Sequence, residues 1–140
     1  MDWSERSLNQ LKIEDGLLLT EMLLHYDEMS IKLKRVLVDT GSGGTIVSAD
    51  IVEAIGIIGG ADDTIYRISG VGGYEFVYSK IIDGIRIGNL HVNDFPIEIG
   101  AMDYGFELDG IVGLNFLQKV GATINLENLT ISGTKPHPFY

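Results

Sequence analysis

The 140-residue chain is 45% hydrophobic and 21% charged, with 18 glycines, three prolines, no cysteine and a formal net charge of −10. This suits one folded domain with a real core and is too little for two, while wholesale disorder is excluded. The acidic balance repels phosphate backbones and anionic lipid, and the missing cysteines exclude disulfides, thiolate nucleophiles and cysteine-type zinc sites.

Residues 1–10 form a polar N-terminal segment, and its opening lacks the basic-then-apolar order of a signal peptide. No apolar run approaches the ~20 residues of a membrane helix. The expectation is a cytoplasmic protein with no membrane and no nucleic-acid partner. The folded domain is expected over residues 11–134. Many glycines and few prolines favour short strands joined by tight turns.

Leu11-Lys12-Ile13 alternates in the β manner, and Glu14-Asp15-Gly16 is a turn signal. Leu17 to Tyr26 reads as a long strand; its Leu, Met and Glu would also suit a helix. The strand is preferred because Asp27-Glu28-Met29-Ser30 resembles a hairpin loop, and Ile31-Lys32-Leu33-Lys34 alternates cleanly beyond it. That hairpin runs into Val36-Leu37-Val38-Asp39-Thr40-Gly41-Ser42, a buried strand delivering a carboxylate, two hydroxyls and a glycine into a sharp turn. An acid at the end of a buried strand is costly unless a cation neutralises it. Lys34 and Arg35 precede the strand, and nothing basic follows until Arg67.

Ser48 to Gly56 predicts a short helix, with Ser48 as N-cap, Asp50 in the first turn and Gly56 as the stop. Residues 57–63 are a connector. Thr64 to Ser69 and Tyr74 to Ser79 are strands joined by Gly70-Val71-Gly72-Gly73, a tip free to bend and to approach a ligand. Ile81 to Ile87, a Gly88-Asn89 turn, Leu90 to Val92 and Pro96 to Ile99 continue as strands. Leu108 to Gly121 reads as a buried strand around Ile111-Val112, a sharp passage at Gly113 and a short helix ended by Gly121. Thr123 to Leu126 and Leu129 to Ser132 make a last hairpin around Glu127-Asn128. The tail, 135–140, is extended because its two prolines oppose helix. Strand, Asp-Gly turn and Gly-ended helix thus occur twice, from Val36 to Gly56 and from Leu108 to Gly121.

Val38-Asp39-Thr40-Gly41-Ser42 resembles the catalytic motif of aspartic proteases, and the chain length resembles their half-length, retropepsin-like branch. Ser69-Gly70-Val71-Gly72-Gly73-Tyr74 stands where that family has its flap, a glycine-tipped hairpin over the substrate. Asp109-Gly110-Ile111-Val112-Gly113-Leu114 looks like the element that passes behind the catalytic loop and leads into a helix. The resemblance covers roughly residues 17 to 132. It implies an all-β, closed single-lobed acid-protease barrel with one or two short helices, and an aspartic endopeptidase of extended polypeptide needing no cofactor and no metal. Asp39 would be the catalytic acid. Thr40 would brace two such loops, Gly41 would aim its N–H at the carboxylates, and Ser42 would hydrogen-bond the outer carboxylate oxygen. Asp109, Gly110 and Gly113 would form the turn behind the site. The chemistry needs two carboxylates holding a water and sharing a proton, because like charges this close cannot both ionise. One Asp-Thr-Gly per chain therefore implies a homodimer with an Asp39 from each subunit. Pocket liners at the level of pattern are Ile65, Val71 and Ile111.

The same residues allow plainer readings. Asp39 could cap its own loop, and the fold could serve as a non-catalytic dimeric binding or scaffold module. Asp109 could pair with Asp39 within one chain, but it lacks the Thr-Gly-Ser context and reads as a structural turn residue. His25, His91 and His137 have no metal-ligand spacing, and neither a Gly-x-Ser-x-Gly nor a phosphate-loop pattern occurs.

Overall fold

Two-residue turns set the register of the first half of the chain. The computed structural model describes residues 9–58, 65–70, 73–103 and 107–134, with the backbone alone at 65–70 and 73–76. Strand β2 (Lys12–Glu14) turns into β3 (Leu17–Tyr26) through Asp15 and Gly16, both in the left-handed region at φ 53° and 76°. Paired positive φ values give the turn whose twist matches its strands. Asp27 and Glu28, at 50° and 66°, repeat it between β3 and β4 (Met29–Val38). The loop is therefore shorter than expected: Tyr26 pairs with Met29, and Ser30 is already strand. A neighbouring strand helps hold the tip, since the Asp27 N–H donates to Asp83 Oδ2 at 2.7 Å.

Beyond the motif, β5 (Ile46–Ser48) runs into a single helical turn, α1 (Ala49–Val52), and a 3-10 turn over Glu53–Ile55. Gly56 ends it at φ 85°, as its position suggested. Ser48 does occupy the N-cap position, but its side chain makes no capping bond. It is the buried last residue of β5.

Strands β6 (Ile65–Gly70) and β7 (Gly73–Ile87) form a hairpin paired out to Gly70 and Gly73. Its tip, Val71 and Gly72, lies outside the described residues, as do Thr64 and residues 59–63 of the connector. β7 is one strand where the sequence suggested two. So is β8 (Leu90–Gly100), because Asp94 adopts φ 50° within the ladder while Gly84–Asn93 and Ile82–Phe95 pair on either side. Then come β9 (Gly110–Val112), α2 (Leu114–Lys119), β10 (Ala122–Asn125) and β11 (Thr130–Gly133).

Strands β3-β4-β9-β5-β8-β7 are neighbours in that order, and β7 returns to pair with β3 at Leu23–Arg86 and Leu24–Ile85. The ring closes into a six-stranded barrel, which removes its edges. Its interior holds Val36, Val38, Val47, Ile82, Ile97, Ile99, Val112 and Phe116, with Phe95 edge-on to Phe116 at 6.0 Å.

The N-terminal boundary differs from expectation. Asn9 and Gln10 form β1, which pairs with β11 in a second, three-stranded sheet, so the folded domain begins before residue 11. Asn9 Nδ2 donates to the Ile131 carbonyl and to Asn89 Oδ1, both at 3.3 Å. Residues 1–8 and the tail 135–140 lie outside the described residues. Among those described, no helix is long and apolar enough to cross a membrane.

Candidate active site

Strand periodicity decides which side of β4 carries the acid. Val36 and Val38 enter the barrel core, so Leu37 and Asp39 share the opposite face. Asp39 is half-buried, while Thr40 and Gly41 are exposed. The Asp39 N–H donates to the Val112 carbonyl at 3.0 Å, extending the parallel β4–β9 ladder by one rung. The chain then turns back: the Ser42 N–H donates to the Asp39 carbonyl at 3.1 Å, and the Gly41 N–H to Asp39 Oδ1 at 2.8 Å. A side chain at Gly41 would put its Cβ 3.2 Å from that same oxygen.

Helix α2 backs this loop. The first N–H groups of a helix have no partner within it, and Gly113 at the N-cap offers no side chain. The loop carbonyls serve instead: Leu114 N–H donates to Ser42 O at 2.8 Å and Asn115 N–H to Gly43 O at 3.1 Å. This approach requires glycine at 113, where a Cβ would stand 2.6 Å from the Ser42 carbonyl oxygen and nearer still to that of Gly44. Two polar side chains absent from the sequence reading complete the arrangement. Thr45, fully buried, accepts from the Gly113 N–H at 3.1 Å and donates to Asn115 Oδ1 at 2.8 Å. A polar residue embedded in each of two apolar runs, Thr45-Ile46-Val47 and Leu114-Asn115-Phe116, was the available signal.

Ser42 behaves differently from its expected role. Its hydroxyl donates to the Gly44 carbonyl at 2.8 Å, not to Asp39. It ties the loop to itself.

Asp109 is occupied elsewhere. Its Oδ2 accepts from the Lys34 and Arg35 N–H groups at 3.0 Å each, and its own N–H donates to the Arg35 carbonyl at 2.8 Å. Four residues of strand, about 13 Å, separate that point from Asp39. Gly110 follows in register with Val36, its position for a Cβ 3.0 Å from the Ile46 carbonyl oxygen. Nor does the preceding arginine neutralise Asp39. Arg35 donates through Nε to the Glu107 carbonyl at 2.8 Å and pairs with Glu14. The Lys12 ammonium and then the Arg35 guanidinium hold the Glu14 carboxyl below its ordinary range.

Beside Asp39 lies an apolar shelf. Leu37 is in register with Ile111, and Ile111 with Ile46. These residues pack with Leu17, Leu19, Val77, Met102 and Leu108 on the outer face of the barrel, separate from its core. Ile111, one of the residues expected to line a pocket, lies on this shelf. The side chain of Ile65 and all of Val71 lie outside the described residues. Of the hairpin Ser69 to Tyr74, the backbone of Ser69, Gly70, Gly73 and Tyr74 is in paired strand.

A closed six-stranded barrel whose Asp-Thr-Gly-Ser loop is backed by a Gly-led helix defines a retropepsin-like fold. The family described as "gag-polyprotein putative aspartyl protease" matches residues 32–119, most of the chain, and the chain belongs to that family. Among solved structures it is similar to a retropepsin-like aspartic protease from Rickettsia conorii. The TM-score is 0.62 and the identity 16%, over 89% of this chain and 95% of that one. No curated protein sequence matches it.

Proposed function

We propose that the protein is an aspartic endopeptidase whose catalytic pair is Asp39 from each of two copies. The observation that carries this reading is the division of labour between the two motif aspartates. Asp109 is bound to the β4 backbone, whereas Asp39 stands at the barrel surface on a loop fixed by backbone hydrogen bonds. A second carboxylate must then come from a second chain, across a twofold axis that brings like loops together. Exposed Thr40 is available to brace the paired loops. A water held between the acids loses a proton to one carboxylate as its oxygen bonds to the peptide carbonyl carbon. The other carboxylic acid protonates the carbonyl oxygen. Collapse breaks the C–N bond, and the departing nitrogen takes a proton from the pair. The shelf of Leu37, Ile46 and Ile111 would take apolar side chains, while the peptide lies extended beneath the β6–β7 hairpin.

The test is cleavage of an unstructured peptide mixture from about pH 4 to 7, the range in which carboxylate pairs exchange protons. Wild type and Asp39→Asn are compared, with products read by mass spectrometry and oligomeric state by sedimentation. Cleavage by a wild-type dimer and none by Asp39→Asn is expected. Equal cleavage by both, or cleavage by a strict monomer, overturns the reading.

A further inference from the structure

The pairing registers place one acid in the row of residues that runs sideways from Leu37, two residues before Asp39. Leu37 pairs with Ile111, Ile111 with Ile46, Ile46 with Glu98, and Glu98 with Ser79. Residues directly opposite one another share a face, and Leu37 shares its face with Asp39. The flanking residues Ile97 and Ile99 are fully buried in the core, which turns Glu98 outward. Three strand spacings of about 4.8 Å separate it from Leu37, within reach of a peptide occupying the shelf.

A second observation fixes where the carboxylate lies. A Cβ on Gly44 would collide with Glu98 Oε1, so the acid rests over a glycine of the Asp39 loop. The Glu98 N–H donates to the Thr45 carbonyl at 2.8 Å, joining this part of β8 to the same loop. Lys80, one strand away, lies opposite Ile97, with its ammonium 6.0 Å from the centre of the Tyr26 ring. It belongs to the other face. Glu98 has contacts of its own, and a carboxylate offers about four acceptor sites, to which a further donor can add.

We infer that Glu98 selects a lysine or arginine side chain in the bound peptide, a few residues from the bond that Asp39 cuts. This rests on the endopeptidase reading. An apolar shelf ending in a carboxylate fits a substrate with apolar residues at the scissile bond and a cation further along. The stem of lysine or arginine covers the shelf while its charge reaches the acid. In a twofold dimer the two Glu98 side chains lie symmetrically about the bond, so the cation is accepted on either side.

The experiment uses a peptide series with one apolar scissile pair, in which lysine, glutamine or glutamate is moved through the three positions on each side. Cleavage rates are measured for wild type, Glu98→Gln and Glu98→Lys. Peptide affinities are measured on Asp39→Asn with and without Glu98→Gln. Thermal melts confirm that each variant is folded. The expected result is a lysine-over-glutamate preference of about tenfold or more at symmetric positions, lost in Glu98→Gln and inverted in Glu98→Lys. Cleavage with the same charge preference in wild type and Glu98→Gln overturns the inference and leaves the endopeptidase standing. Glu98-dependent selection of lysine peptides in binding, without cleavage by wild type, overturns the peptidase and upholds the role of Glu98. Neither cleavage nor binding overturns both.

Discussion

Gly113 and Thr45, 68 residues apart in sequence, are joined by a buried hydrogen bond of 3.1 Å from the glycine N–H to the threonine hydroxyl. The hydroxyl in turn donates a hydrogen bond to Asn115 Oδ1, so one side chain serves the strand before the turn and the helix after it. Thr45→Val keeps the shape and removes both bonds. It is expected to lower unfolding free energy by about 1–3 kcal/mol, because a buried N–H is left unsatisfied, with Thr45→Ser recovering most of the loss. Urea titration of the three proteins checks this.

The glycine that opens β9 and the one that follows it should differ in their tolerance of a methyl group. At Gly113 a Cβ meets two loop carbonyls, whereas at Gly110 its nearest neighbour is a single oxygen at 3.0 Å. Gly113→Ala should therefore cost about 1–3 kcal/mol by overpacking and move the loop that carries Asp39. Gly110→Ala should cost less and leave cleavage per folded molecule closer to wild type. Comparative denaturation with activity normalised to folded protein separates the two.

The two aspartates of the repeated motif are predicted to fail in different ways. Asp109→Ala strips two backbone N–H groups of β4 of their acceptor and should cost about 1–3 kcal/mol. Asp109→Asn should cost less, since its amide oxygen still accepts. Molecules that remain folded should still cleave. Asp39→Asn should fold normally and not cleave. A folded Asp109→Asn that has lost all cleavage would instead place this acid in the chemistry.

Acid should weaken the attachment of β2. Glu14 bridges Lys12 and Arg35, and its carboxyl is held below its ordinary range. Its contribution is therefore present at neutral pH and disappears as pH falls below about 4, through the lowered folded-state value. Wild type should melt slightly above Glu14→Gln near pH 7, with the gap shrinking to nothing in acid and under high salt. A gap that widened on acidification would contradict this assignment.

Much of this arrangement could be read from the chain because the informative signals were local. Asp15-Gly16 and Gly88-Asn89 mark two-residue turns, alternation marks β2 and β4, and an acid after Val36-Leu37-Val38 marks the loop. What escaped depended on partners distant in sequence. The sequence reads as two strands on either side of residues 93–95, yet the ladder to β7 carries one strand through them. Asn9 and Gln10 looked like a loose start, but β11 supplies their backbone partners. Ser42 donates to the Gly44 carbonyl and not to the acid, and although Thr45 and Asn115 stand out as polar residues beside apolar ones, that signal does not say that they meet about seventy residues apart.

That separation bears on when the acid acquires its setting. Chains grow from the N-terminus, and contacts between distant segments form late. On the ribosome Asp39 emerges well before Leu114 and Asn115, whose N–H groups hold the Ser42 and Gly43 carbonyls. Until they arrive the acid sits on a loop with half of its supports missing. A nascent chain long enough to include the whole motif is still too short to finish it, which separates synthesis of the acid from assembly of its surroundings.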